Sequence, residues 1–224
     1  MDELEALKRV AWNVQGDIAT NLFFRPLSIR ITRNLSRTAT TPTQITLFLF
    51  CLRMIASVLF LFDLYLGSIV AAILLYSAQV LDCVDGELAR VKRMPSERGG
   101  LLDYFLDRIS DFILYLSIAM GLYYASRQYE VIVIGLLAMA SNSLMTDLGQ
   151  KVDRIKQSIK YPYKQTWKSY LTYGGPTSVI ILLVTAVLNR ILLGLVIIAV
   201  CSFLFAIARF LDTYVGLGTT QRKT

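Results

Sequence analysis

LDCVDGELARVKRMPSERGGLLDYFLD, residues 81–107, decides how the chain is read. It lies between YLGSIVAAILLYSAQV and FILYLSIAMGLYY, two runs that look like membrane spans. Asp82, Asp85, Asp103 and Asp107 therefore stand at the membrane ends of two hydrophobic helices. A carboxylate near mid-bilayer costs about 2.5–3.5 kcal/mol even on the lenient insertion scale, and four uncompensated ones would cost on the order of 10 kcal/mol, less what the interface relieves. Something must compensate them.

Outward from that stretch, the chain of 224 residues is 55% hydrophobic, with a mean hydropathy of +0.54. A soluble domain is about 45–50% apolar with mixed periodicity, whereas here the apolar residues fall into long blocks. Spans are expected at residues 45–62, 66–84, 101–124, 131–148, 176–188 and 191–214. The fifth is short and borrows from the approach at 167–175. The fold class is an all-α integral membrane protein of about six transmembrane helices preceded by an amphipathic juxtamembrane helix. This divides the chain into a cytoplasmic amphipathic segment (1–44), a transmembrane catalytic domain (45–214) and a cytoplasmic tail (215–224).

The first forty residues hold no continuous apolar run of the secretory-signal kind. They read instead as two amphipathic pieces lying on the membrane. In DELEALKRVAWNV, Leu4, Leu7, Val10, Ala11 and Val14 recur at helical spacing. In RPLSIRITRNLSR, Leu27, Ile31 and Leu35 form one stripe and Arg30, Arg33 and Arg37 the other, with Pro26 suited to the first turn. The arginines read as anchors to anionic headgroups.

If six spans alternate, the side of the N-terminus collects nearly all loop Lys and Arg, from Lys8 through Arg98 and Lys151 to Lys223. The opposite loops hold Arg127 and Arg190. The positive side is expected to be cytoplasmic, with both termini and the acidic quartet at that face. The membrane is the plasma or inner membrane if the source is prokaryotic. The net charge of +7 needs no nucleic acid to explain it, since juxtamembrane basic loops suffice. Cys51, Cys83 and Cys201 lie in hydrophobic segments without metal-ligand spacing and read as small apolar residues. The absence of histidine removes Ser–His and Cys–His nucleophiles and histidine-ligated zinc together.

Asp82 and Asp85 are three apart and Asp103 and Asp107 four apart, so each pair shares one face of its helix. MPSER, with Pro95, makes the turn of a hairpin whose acidic faces meet. Oxygen-only ligands suit Mg²⁺, Mn²⁺ or Ca²⁺ rather than zinc. Two divalent ions would balance four carboxylates, as at phosphoryl-transfer sites. Gly86, Ala89 and Gly99 interleave with the acids and keep a cleft open, and Arg90 supplies a forked donor. Acids, metals, a small-walled cleft and an arginine describe a pyrophosphate site.

The spacing D-x2-D-G-x2-A-R-x8-G-x3-D-x3-D is carried by Asp82, Asp85, Gly86, Ala89, Arg90, Gly99, Asp103 and Asp107. It resembles the signature of the CDP-alcohol phosphotransferase family (CDP-alcohol phosphatidyltransferases), class I, at every defined position. With each residue type at roughly one in fifteen, such a match arises by chance on the order of once per 10⁹ starts. TPTQIT at 41–46 resembles the TPNQ-[IV]-T start of the family's first span, with Thr43 in place of Asn. The resemblance implies transfer of a substituted phosphate from a CDP-linked alcohol, such as CDP-diacylglycerol, to an acceptor hydroxyl, releasing CMP in phospholipid or polar-ester synthesis. It implies Mg²⁺ or Mn²⁺, two ions, on Asp82, Asp85 and Asp103. Asp107 becomes the general base and a further metal ligand, Gly86, Ala89, Arg90 and Gly99 hold nucleotide and phosphate, and the enzyme is a homodimer among membrane lipids.

For the acceptor, the basic and aromatic run at 151–173 offers Lys151, Arg154 and Lys164, against a plain reading as a headgroup belt. Relatives that use inositol phosphate carry an SY-x-[KR]-A-R-like segment after the fourth span, where this chain reads TDLGQKVD and keeps Lys151. Glu87 is reminiscent of that inositol-phosphotransferring branch, and a solvated helix end explains it equally well. Asp111 and Arg108 read as an intramembrane pair stiffening their helix, while Arg53 and Arg209 are charged residues within spans with no assigned role. Inositol-phosphate-type transfer from a CDP-linked polar alcohol is the alternative within the family. A divalent-cation pathway is the rival of another class and expects acids near mid-membrane on several helices.

Overall fold

A computed structural model describes residues 3–12, 18–158 and 173–221, all of whose regular structure is helical. α1 (Glu3–Ala11) is followed by a π-helical turn (Thr20–Phe24) that runs into α2 (Arg25–Ser36). The bundle then comprises α3 (Pro42–Leu61), α4 (Tyr65–Val91), α5 (Glu97–Ser126), α6 (Glu130–Ser158), α7 (Gly175–Val187) and α8 (Ile191–Gln221).

Local chemistry sets the helix ends that matter for the site. Thr41 begins α3 with a reciprocal cap: its hydroxyl accepts from the Gln44 N–H, and the Gln44 side chain accepts from the Thr41 N–H. Pro42 occupies the first turn, where its missing N–H costs nothing. The turn expected around Pro95 separates α4 from α5, and Ser96 caps α5 by accepting from Gly99 N–H at 3.0 Å. Residues 38–40 meet the same end of the bundle, because Lys92 Nζ donates to the carbonyls of Thr38 and Thr40 at 2.6 and 2.7 Å.

Among the described residues, four helices are long and apolar enough to cross a membrane: α3, α4, α6 over Glu130–Ile155, and α8 over Ile191–Val215. α7 is apolar but has 13 residues. α5 has 30 residues, and its first half carries Asp103, Asp107, Arg108 and Asp111. All six expected spans coincide with helices, and these two differ from the rest by brevity and by charge.

α3 packs against α4 and α5, α6 against α5 and α8, and α7 against α4 and α8. Small side chains allow close helix approach where lipid offers no hydrophobic drive: Ala56, Ala71, Ala72, Ala138 and Ala186 lie in the core with Phe60, Leu75 and Leu182. α5 crosses α3 closely at Gly121, where a Cβ would come 2.4 Å from the Phe60 carbonyl oxygen. The outward faces expose Phe48, Ile55, Val70, Phe112, Leu137 and Phe203, side chains that lipid accepts and water penalises. α1 and α2 lie against α4. Ile31 and Leu35 of the expected apolar stripe pack toward Val84 and Leu88, but Leu27 is exposed and the fully buried α2 residues beside them are Ser28, Ile29 and Thr32.

Candidate metal centre

α4 and α5 bring three of the four aspartates together. Asp82, Asp103 and Asp107 offer carboxylate oxygens within 4.8 Å of one another. Asp103 Oδ1 is buried without a hydrogen-bond partner. Asp82 Oδ2 accepts from Gln79 Nε2 at 2.9 Å, one turn earlier on α4. Asp85 stands aside from this trio: it is buried, and its Oδ2 accepts from Thr46 Oγ1 of α3 at 2.8 Å. Three residues along a helix leave a rotation of about 60°, enough to turn Asp85 from α5 toward α3.

Arg53 of α3 enters the cluster. Its Nη1 hydrogen-bonds the Asp107 carboxylate and reaches Ser110 Oγ at 3.3 Å, while Nη2 lies 3.6 Å from Asp82 Oδ1. A charged residue in an otherwise apolar span was the sequence signal available for it. Compensation of the buried acids thus comes in part from α3, through Arg53 and Thr46, which spacing within residues 81–107 does not reveal. An all-oxygen donor set, a 4.8 Å grouping and an orphaned Asp103 oxygen together fit a hard divalent cation.

The smaller motif residues line the adjoining turn. Within 4 Å of the position a Cβ would take at Gly86 there is only the Arg90 guanidinium, 3.4 Å away. Gly99 has a local reason as well: a Cβ there would lie 2.9 Å from the capping Ser96 hydroxyl. Ala89 and Arg90 are half-buried on the same turn. Glu87, for which a solvated helix end was one reading, is 2% exposed and accepts three hydrogen bonds.

On the other side of Asp107 a cavity of about 180 Å³ opens between α4, α5, α6 and α7, with Arg53 of α3 also in its wall. Asp82 and Asp107 form part of its wall, with Arg108, Asn142, Thr146 and Ser178 among the residues facing them. Arg108 Nη2 lies 3.5 Å from Asp111, and Nη1 lies 3.9 Å from Asp147. Neither Nε nor Nη1 of Arg108 has a hydrogen-bond partner, so the expected Arg108–Asp111 pair leaves buried donors over. Lys151 and Arg154 are exposed on α6 and do not line this cavity. Lys164 lies outside the described residues. Arg209 is held by Asp153 at 2.7 Å and by the Gly149 carbonyl at 3.3 Å.

An all-helical bundle with membrane-crossing helices and a carboxylate cluster between α4 and α5 defines an integral membrane protein with a polar, cation-fitting centre. The chain belongs to the CDP-alcohol phosphatidyltransferase family, whose model matches residues 39–210. It is 38% identical over 93 residues to archaetidylinositol phosphate synthase of Pyrococcus horikoshii, covering 41% of this chain and 47% of that protein. It is 35% identical over 103 residues to the bifunctional IPC transferase and DIPP synthase of Aquifex aeolicus, covering 41% and 23%. The chain thus spans about half the length of the first of these curated relatives and a quarter of the second. Its fold is similar to that of Mycobacterium tuberculosis phosphatidylinositol phosphate synthase with CDP-DAG bound, at a TM-score of 0.65 and 18% identity over 84% of this chain and 94% of that one. The same enzyme in complex with manganese and citrate matches at a TM-score of 0.64 and 18% identity, over 84% and 88%.

Proposed function

We propose that the protein transfers a substituted phosphate from a CDP-linked alcohol to an acceptor hydroxyl, releasing CMP, at the cytoplasmic face of its membrane. The observation that carries this reading is the grouping of Asp82, Asp103 and Asp107 within 4.8 Å beside a small-walled turn bearing Gly86 and Arg90.

Asp82, Asp85, Asp103 and Asp107 would hold Mg²⁺ or Mn²⁺, as two ions. Such ions, when bound, neutralise the donor's diphosphate and stabilise departing CMP. Gly86, Ala89 and Gly99 leave room for the nucleotide and its phosphates, and Arg90 offers them a forked donor. Asp107 faces both the cluster and the cavity, so it is placed to take the proton of an acceptor hydroxyl there. The acceptor oxygen bonds to the phosphorus distal to cytidine, the bond from that phosphorus to the CMP oxygen breaks, and the proton ends on Asp107. CMP leaves as the phosphomonoester and a new phosphodiester remains. The protein acts on its substrates as a homodimer.

A phosphate-bearing acceptor such as inositol phosphate is supported by one observation of the site: Nε and Nη1 of Arg108, beside Asp107 in the cavity wall, make no hydrogen bond among the described residues. The similarity to archaetidylinositol phosphate synthase and phosphatidylinositol phosphate synthase supports the same reading. Lys151, Arg154 and Lys164 become the outer basic residues that draw such an acceptor in. Mass spectrometry of lipids formed from CDP-diacylglycerol or a CDP-linked polar alcohol, paired with glycerol 3-phosphate, serine, inositol or inositol phosphate, tests this. One product bearing the acceptor through a phosphodiester is expected. A folded, metal-binding protein that makes none with any pair contradicts it.

A further inference from the structure

Glu87 follows Gly86 directly, yet its side chain turns away from the acid cluster into the seam between α4 and the N-terminal helices. Its Oε1 accepts from Trp12 Nε1 at 3.1 Å and from Ser28 Oγ at 2.8 Å, and its Oε2 accepts from Thr32 Oγ1 at 2.8 Å. Ser28 and Thr32 lie one turn apart on α2 and are wholly buried. Trp12 follows α1, and its ring lies between Lys8 Nζ, 5.3 Å from its centroid, and the Arg25 guanidinium, 5.7 Å away. One carboxylate therefore ties α4 to both elements of the amphipathic N-terminal segment.

An apolar seam already exists there, formed by Ile31 and Leu35 against Ile45, Val84 and Leu88. A carboxylate at its centre adds a desolvation cost that an aliphatic side chain would not. What it adds in return is direction: three donors from two segments fix the rotation and register of α2 in a way that contact area does not. The fixed corner is the turn of Gly86 and Arg90, which flanks Glu87 on α4.

We infer that Glu87 is a positioning residue that clamps α1 and α2 onto the donor-binding turn of α4, so that affinity for the CDP-linked donor depends on docking of the membrane-surface segment. The inference rests on the proposed donor role of Gly86 and Arg90. The clamp couples the part of the chain that senses the membrane surface to the part that receives the nucleotide.

The test uses the full chain in phosphatidylglycerol-containing nanodiscs with Trp167→Phe, which leaves Trp12 as the single tryptophan of the two. Glu87→Ala should red-shift Trp12 emission, increase its quenching by acrylamide and weaken CDP-diacylglycerol binding about ten-fold. Mn²⁺ affinity measured by electron paramagnetic resonance should stay within about two-fold, since the cluster residues are untouched. Glu87→Gln, which still accepts from Trp12 and Ser28 through its amide oxygen, should recover most of the donor affinity. A Trp12 signal that does not move in Glu87→Ala overturns the clamp. A Trp12 signal that moves while donor affinity holds overturns its role in the site. If the unsubstituted protein binds Mn²⁺ but no CDP compound, the donor reading itself fails and the link drawn from it goes too. That result is told apart because it precedes any substitution at Glu87.

Discussion

Arg53 is the residue that most changes how the acid cluster is understood. It bonds Asp107 and lies 3.6 Å from Asp82, so it is a tethered cation among the carboxylates we propose to bind mobile ones. Arg53→Met should therefore have two opposed effects. In chelator, the unpaired carboxylates should lower stability by roughly 3–5 kcal/mol, read by thermal unfolding in detergent. In the presence of Mn²⁺, loss of the competing charge should tighten binding by about ten-fold, and Arg53→Lys should restore the original behaviour on both counts. Unchanged Mn²⁺ affinity in a folded Arg53→Met protein would remove this role. Thr46→Val deletes the hydroxyl that donates to Asp85 while keeping side-chain shape, and should cost about 1–3 kcal/mol by the same unfolding measurement. The aspartates were legible because their spacing is local to one hairpin. Arg53 was legible only as a charge within an apolar span; its partners, the bond from Thr46 and the burial of Glu87 were not, since each depends on which face of α2 or α3 meets α4 and α5.

At the scale of elements, the helices are written in short-range chemistry. The Thr41–Gln44 cap, Pro42 and the Ser96 cap of α5 all lie within a turn of the ends they define. Ser96→Ala should cost about 1 kcal/mol and loosen the start of the helix that carries Asp103 and Asp107. Gly121 governs a longer-range relation, because any side chain there meets the Phe60 carbonyl and pushes α5 from α3. Gly121→Leu should destabilise the protein by about 1–3 kcal/mol and lower Mn²⁺ affinity by separating Arg53 and Thr46 from their aspartates. Thermal unfolding and Mn²⁺ titration of the same sample check both effects. Hydrophobic length located every bundle helix but could not grade them: α5 has the length of a span with charges in its first half, and α7 is short. The cavity beyond Asp107 was not legible either, as its wall is assembled from five helices, α3 to α7. The basic run that begins at the end of α6 drew attention to Lys151 and Arg154, whereas the α6 residues at the cavity are Asn142 and Thr146, about one to three turns earlier.

At the scale of the molecule, the account makes a claim about sidedness. The 38–40 loop and the α4–α5 turn share one end of the bundle, tied by Lys92, and the orientation we propose puts that end in the cytoplasm. With Cys51, Cys83 and Cys201 replaced by alanine, a cysteine at Arg127 should react with an impermeant maleimide on intact cells. A cysteine at Arg93 should react only after permeabilisation, and the reverse pattern would invert the topology.

The central claim is that the carboxylates of α4 and α5 carry out a metal-dependent transfer that releases CMP. The direct measurement is CMP release by the full chain in lipid, given CDP-diacylglycerol and inositol phosphate, with Mg²⁺ or Mn²⁺ and then with chelator. CMP should appear only with metal, and Asp107→Asn should slow it by about 10²–10⁴-fold while leaving the protein folded. CMP release that persists in chelator, or that Asp107→Asn leaves at the original rate, would contradict the account.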